Sequence, residues 1–286
     1  MTKLTFATTP AWDMAGGFGC ASLGLPAICD NDVKFVTEYP YSLKGKVLTG
    51  SYVNILEGVK NVQETVLAAI VLFGNAGSEN VFLQDLQKYI SCPIVGGGAA
   101  IDTDTGKSAL ITGGGEAAVF LITDDRYTYT AVTECIHDQI IGSVRLTLTD
   151  SRTIHTINGE DAATFLKKQK TNLSLAETDF EHLTISDLRN VNAHLSYVDG
   201  VIKSGRDLQE TMLLRYVDHD KVYERMRAFY ADDDAIVFGC AGLSGLLDKP
   251  LDTNSLGLFL FGEVCTVGDT AEFGNLMLSK LIIKKK

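Results

Sequence analysis

Ala235-Ile236-Val237-Phe238-Gly239-Cys240-Ala241-Gly242 restates, with one residue fewer, an earlier stretch, Ala69-Ile70-Val71-Leu72-Phe73-Gly74-Asn75-Ala76-Gly77. Each is a short, unbroken apolar run that ends in glycine, the pattern of a strand buried on both faces. The spacing beyond them repeats too: Gly74 lies 23 residues before Gly97, and Gly239 lies 23 before Gly262. Each second glycine ends another apolar run, and each copy finishes in a further strand, Ala117 to Ile122 in one and Leu276 to Ile283 in the other. The chain reads as an internal duplication.

Working outward, Val81, Phe82, Leu83, Leu86 and Ile90 fall mostly on one helical face until Cys92-Pro93 stops the helix. Ser108 to Thr112 and Glu116 to Thr123 straddle Gly113-Gly114-Gly115 like a hairpin, and Arg126 to Thr133 and Ser143 to Leu148 read as further strands. Arg152 to Ile157 leads through Asn158-Gly159 into a helix from Ala162 to Lys168, and Thr171 to Ser186 reads as an irregular connection. Ala193 to Tyr197 and Leu208 to Tyr216 read as hairpin-like strands, and Lys221 to Tyr230 as a helix before the repeated strand. Strand, helix, strand and then consecutive strands predict an α/β (α+β) fold: duplicated mixed-sheet units with helices packed on the sheets, a layered sandwich. The expected division is into residues 1–158 and 159–286.

Composition narrows the function. The 25 basic and 36 acidic residues leave a net charge of -11 and a pI near 4.9, a field that repels nucleic acid and anionic lipid. The Lys284 to Lys286 run reads as a solvated tail. The first residues lack the apolar core of a secretory signal, and the longest apolar run, Val66 to Phe73, is far below the roughly 20 residues of a membrane helix, so no membrane is expected and the location is expected to be cytoplasmic.

Six cysteines, at 20, 29, 92, 135, 240 and 265, form no C-x-x-C pair and read as buried thiols of a reducing compartment. Cys135-Ile136-His137 has no second half nearby, so no metal is expected. Nor does a cofactor motif survive scrutiny. Gly106-Lys107-Ser108 lacks the glycine of a phosphate loop at Ile101, Gly242-Leu243-Ser244-Gly245 has the wrong spacing for a nucleophile elbow, and no helix follows Gly115 to make a dinucleotide site. Asp232-Asp233-Asp234, Asp102 and Asp104 read as solvated loop acids, and His155 as a sheet residue.

The segment from Ala235 to Gly242, then Leu256-Gly257-Leu258-Phe259-Leu260-Phe261-Gly262-Glu263-Val264, then Phe273-Gly274-Asn275-Leu276 resembles the C-terminal half of FIST-domain proteins. The family pattern there is a strand ending Ser-Cys-Ala-Gly, a strand ending Gly-Glu-Ile, and an Asn near the final strand. Gly239 stands where the family has Ser, and Leu243 where it commonly has Arg. Pro93-Ile94-Val95-Gly96-Gly97-Gly98-Ala99 is similar to the family's Val-Gly-Gly-x-Ala loop. Ile157-Asn158-Gly159-Glu160-Asp161-Ala162 is similar to its Asp-Gly-x-Pro-Ala turn, with Asp161 replacing Pro. The resemblance covers roughly residues 65 to 286; the first 65 are shorter and different from a complete N-terminal half. It implies a sensory module that binds a small ligand, an amino acid among the candidates, and signals through a partner protein in trans, as a monomer or a homo-oligomer.

Strands that end in glycine let backbone N–H groups approach a ligand, so Gly97, Gly98, Gly239 and Gly262 are candidates to cradle a carboxylate, with Glu263 to meet an ammonium and Cys240 and Asn275 beside it. The same glycines equally suit tight turns, and Glu263 a surface charge. Cys240 reads as buried core, as pocket lining, or as a nucleophile, the last requiring a base that the neighbouring sequence does not supply. Three function classes follow: a small-molecule sensor with no catalytic residue, a cysteine-dependent hydrolase, and a non-enzymatic assembly protein.

Overall fold

A computed structural model describes residues 2–4, 33–36, 42–74, 77–98, 116–176, 182–231, 234–246 and 256–286. In chain order these form β1 (Thr2–Leu4), β2 (Val33–Val36), β3 (Ser42–Gly50), α1 (Tyr52–Lys60), β4 (Ala68–Phe73), α2 (Glu79–Leu86), β5 (Ile94–Gly98) and β6 (Ala117–Ile122). β7 (Tyr127–Cys135) is followed by β8 (Gln139–Asp150), β9 (Thr153–Ile157), β10 (Glu160–Asp161), α3 (Ala162–Asn172), β11 (Leu183–Ser186), β12 (Asn192–Ala193), β13 (Leu195–Val198), β14 (Val201–Ser204) and β15 (Thr211–Tyr216). Then come α4 (His219–Tyr230), β16 (Ala235–Cys240), a 3₁₀ helix (Ala241–Leu246), β17 (Leu256–Leu260), β18 (Glu263–Val267), β19 (Thr270–Gly274) and β20 (Met277–Lys285).

The duplication is explicit in the strand pairing. β4 runs parallel to β5 and antiparallel to β6, which is antiparallel to β3. β16 runs parallel to β17 and antiparallel to β20, which is antiparallel to β7. Strand order and sense are therefore the same in β3-β6-β4-β5 and β7-β20-β16-β17. A helix precedes each repeated strand (α1, α4), and a helix follows it (α2, the 3₁₀ helix).

Both central strands are apolar throughout because both of their faces are covered. Ala68, Ile70 and Leu72 share a core with Ile236, Phe238, Leu260, Leu281 and Ile283, so the two sheets pack face to face. The alternate residues Ala69, Val71 and Phe73 pack on Ile55, Val59, Phe82 and Leu83 of α1 and α2. On the far side of the second sheet, Ala235 and Val237 meet Val222, Met226 and Phe229 of α4. The result is a four-layer α-β-β-α sandwich.

One element crosses between the repeats. The antiparallel hairpin of β18 and β19 leaves the second repeat and joins the first repeat's sheet along β5. Phe273 carries that crossing into the core, edge-on to Phe73 with ring centroids 5.7 Å apart.

The insertion between β7 and α4 is a separate small sheet, ordered β12-β11-β15-β8-β9-β14-β13. Its first and last members, β12 and β13, are separated only by His194, so one bent strand supplies both edges and the sheet closes on itself. Leu146, Ile154, Leu183, Ile185, Leu195, Ile202 and Leu214 fill its interior, which Ala162 and Leu166 of α3 cap.

Several sequence expectations are corrected here. The connection at Thr171 to Ser186 ends in β11, whose Thr184 and Ser186 are fully buried, with Thr184 Oγ1 donating to Ala193 C=O at 2.6 Å and Ser186 Oγ to Asp187 C=O at 3.0 Å. The strand near Ala193 pairs with β14, and β15 pairs with β8 and β11. Asn158 itself sits in the β9–β10 turn at φ 54. The Ser108 to Thr112 strand, Asn75, Ala99, Ile101, Asp102, Asp104, the Gly106-Lys107-Ser108 turn, the Gly113-Gly114-Gly115 bend, Asp232 and Asp233 lie outside the described residues. No helix among the described residues is long and apolar enough to cross a membrane.

Candidate functional site

The site forms where the crossing hairpin enters the first sheet. β18 pairs with β5 through Glu263 opposite Gly97 and Val264 opposite Gly96, and the contact continues as Gly98 N–H donates to Gly262 C=O at 3.0 Å and Phe261 N–H to Gly98 C=O at 2.9 Å. A Cβ on Gly97 would stand 2.2 Å from Gly262 O, so only glycine admits this approach. Gly262 turns the chain from β17 to β18 at φ +84, a left-handed conformation, and a Cβ there would meet Phe273 Cζ at 2.3 Å. Gly97, Gly98, Gly262 and Glu263 are thus brought together, with the Gly98 N–H spent on the seam. Gly239 lies one residue inside the end of β16, with its backbone between β17 and β20, and Gly74 N–H donates to Glu116 C=O at 2.8 Å.

Glu263 is fully buried. Its Oε2 accepts the Met277 N–H at 3.1 Å, and its Oε1 has no hydrogen-bond partner. Burial drives its carboxyl far above the ordinary range, against the weaker opposing pull of the Met277 N–H and the Cys240 thiol. An unpaired buried oxygen of this kind is an unrepaid desolvation cost.

Cys240, at the end of β16, is 6% exposed. Burial first and Glu263 second raise its thiol well above the usual value, outweighing the backbone amides of Leu276, Gly242 and Gly262 that favour the thiolate. That is a protonated thiol shut off from solvent, unlike the exposed, low-pKa thiol of an activated nucleophile. Tyr230 of α4 and Cys265, both fully buried, belong to the same cluster: burial pushes each up, and Glu263 adds to both.

Asn275, Leu276 and Met277 join this cluster to the inserted barrel. Asn275 donates its N–H to Asn192 C=O at 3.0 Å and accepts the His194 N–H on Oδ1 at 3.3 Å. Leu276 is buried in the left-handed region at φ 55, and its C=O accepts Asn192 Nδ2 at 3.4 Å. Met277 N–H then holds Glu263. A bulky non-glycine residue in that backbone region is strained, and such strain persists where the surroundings over-determine it.

Cys240, Glu263 and Asn275 were legible as candidates; Tyr230, Cys265, Leu276 and Met277 were not. Cys265 carried a usable signal, since residues two apart on a strand share a face and it lies two beyond Glu263. Tyr230 ends a helix whose direction the sequence leaves open, and Met277 contributes a backbone N–H, which no side-chain pattern reports. His137, fully buried beside the Cys135 of the sequence pair, has its Nδ1 3.3 Å from Asn192 Nδ2. His155 lies exposed on β9. Among the described residues no group of three or more His, Cys, Asp or Glu side chains is arranged to hold a metal ion. No protein-family model matches the chain, and no curated protein matches it significantly.

Proposed function

We propose that this protein is a cytoplasmic sensor that binds a small molecule, an amino acid or a related amine, at the Cys240–Glu263 cluster and signals its occupancy to a partner chain. The observation that carries the reading is Glu263 itself, a completely buried carboxyl with one oxygen unpartnered, at the seam between the repeats. Sites at the junction of structural units are favoured for ligands, and a convergent polar group with a displaced pKa in such a place is the mark of a binding position. The adjoining Asn275–Met277 segment supports the sensory half of the proposal, since it bonds to the acid at one end and to the barrel at the other. The free thiols of Cys92, Cys135, Cys240 and Cys265 agree with a reducing compartment.

The test is a thermal-shift screen of the full chain against amino acids and simple amines, repeated on Glu263→Gln. A ligand at 100 times its Kd adds about 2.7 kcal/mol of stability. A compound that raises the wild-type Tm and not that of the variant supports the assignment; a broad panel without a shift refutes it.

A further inference from the structure

The two repeats end differently at one border. In the first, β2 lies antiparallel along the outer edge of β3, opposite Leu43 and Gly45. In the second, β7 stands where β3 stands and, among the described residues, no strand pairs with its outer edge. Counted along the ladders from Leu72 and from Phe238, which both face the shared core, Thr49 corresponds to Thr133. Leu43, Gly45 and Val47 therefore correspond to Tyr127, Tyr129 and Ala131. The first three are buried, whereas their counterparts on β7 are only half-buried.

The Lys286 N–H donates to Arg126 C=O at 3.0 Å, which fixes the phase of the β7–β20 ladder. Thr128, Thr130 and Val132 turn their main chain toward β20, and Tyr129, Ala131 and Thr133 turn theirs away from it. None of the outward N–H and C=O groups of these three meets a partner among the described residues. At the next outward position Arg225 Nη2 donates to Cys135 C=O at 3.2 Å and closes the row. The usual protections of an exposed edge are missing between these points. β7 contains no lysine, no proline and no register shift, and its one charged residue, Glu134, is held by Arg225 at 2.6 Å.

We infer that β7 pairs with β7 of a second copy, antiparallel across a two-fold axis at Ala131, joining the two four-stranded sheets into one. The strand matches itself about that axis. Ala131 meets its own counterpart, Tyr129 meets Thr133, and Thr130 meets Val132, so outward groups fall opposite outward groups and the hydrogen-bond phase agrees. Tyr129 against Thr133 is an aromatic–β-branched pair, and Glu134 falls opposite Thr128, so no like charges are opposed. This self-matching is what favours a second copy over an unrelated strand. Antiparallel is also the sense in which β2 takes the equivalent edge of β3. The contact involves none of the side chains around Glu263 and forms with or without a ligand there.

Sedimentation equilibrium of the full chain over a range of concentrations, with amide hydrogen exchange read residue by residue, tests this. The expected result is a monomer–dimer equilibrium in which the Tyr129, Ala131 and Thr133 amides exchange fast on dilution and slowly in the dimer. Ala131→Pro removes an N–H that the single chain leaves unused, so the Tm at low concentration should hold. Its dimer dissociation constant should rise roughly thirtyfold, for two hydrogen bonds lost across the axis. Thr130 is exposed and lies diagonally across the axis from its own counterpart. Thr130→Lys and Thr130→Glu should therefore each weaken the homodimer, and mixing the two should restore a heterodimer. That charge rescue decides the matter even where Ala131→Pro fails to fold. A chain that stays monomeric throughout overturns the proposal, as does a dimer left intact by a folded Ala131→Pro or by both Thr130 variants. Slow exchange of the three amides in the monomer overturns it too, because another part of the chain would then already cover the edge.

Discussion

Gln87 and Ala271 bond to each other twice: Gln87 Nε2 donates to Ala271 C=O at 3.0 Å, and Ala271 N–H donates to Gln87 Oε1 at 2.7 Å. Two residues along, Phe273 N–H donates to Asn80 Oδ1 at 2.8 Å. Side chains of α2 and the turn that follows it thus take the place of a further strand beside β19. This removes the open row of donors and acceptors by which an edge strand recruits another chain. Gln87→Ala strands a donor and an acceptor on the buried Ala271, and we expect it to cost about 1–3 kcal/mol in urea unfolding. We also expect concentration-dependent association in light scattering; a stable, monodisperse variant would count against the edge-closing role.

The glycine seam makes a paired prediction. Gly97→Ala places a methyl 2.2 Å from Gly262 O, whereas a Cβ on Gly142 meets nothing within 4 Å. Overpacking a seam made of backbone cannot be relieved by a rotamer change, so Gly97→Ala should lose about 3 kcal/mol or fail to fold. Gly142→Ala should stay within about 0.5 kcal/mol of the wild type. Similar melting temperatures for the two variants would contradict the close approach of β5 and β18.

Asn275 makes a prediction about coupling. Asn275→Ala removes the acceptor of the His194 N–H but leaves the backbone bond to Asn192. Hydrogen exchange should quicken along β12 and β13, within the barrel, more than in β4 or β6. Uniform quickening would mean that the variant only lowers global stability.

Two carboxyls should shape stability against pH with opposite signs. Asp124 accepts Arg126 Nε at 2.8 Å and the Lys44 N–H at 2.9 Å, and the Arg126 hydrogen bond is the main cause that lowers its pKa from 3.8 to about 2. Its stabilisation is complete above the unfolded value of 3.8 and is lost as pH falls toward 2, so Asp124→Asn should flatten that acid limb. Burial raises the folded-state pKa of Glu263 above its ordinary 4.5, so wild-type stability should fall relative to Glu263→Gln as pH rises from that value. Parallel pH curves for wild type and Glu263→Gln would mean that the folded carboxyl is ionised.

The sandwich was readable because its two central strands are apolar on both faces, and because the repeat from Ala69 to Gly77 and from Ala235 to Gly242 carries its own spacing. The barrel was not. Thr184, Ser186 and Asn192 sit in it at zero exposure, the two hydroxyls and the Asn192 Nδ2 donating to main-chain carbonyls, so polar residues stand where burial normally writes apolar ones. Its closure through the bend at His194 also depends on pairings distant in sequence, which periodicity does not record. At the site, the glycines advertised close approach correctly, but the sequence left open whether their partner was a ligand or another strand. For Gly97 and Gly98 the nearest partner is the Phe261–Glu263 backbone. Burial of Glu263 is equally invisible locally, because it follows from the hairpin's crossing to a sheet built by the other repeat.

That crossing has a consequence for how the chain is made. As synthesis proceeds, β3 to β6 emerge early, but the edge of β5 stays open until residues 263–274 have followed the whole barrel out of the ribosome. The first repeat is then a finished set of strands with an unfinished border, and contacts so distant in sequence form slowly. The first sheet is therefore completed only by residues of the second repeat, and neither repeat can be transplanted alone into another chain without leaving a raw edge behind.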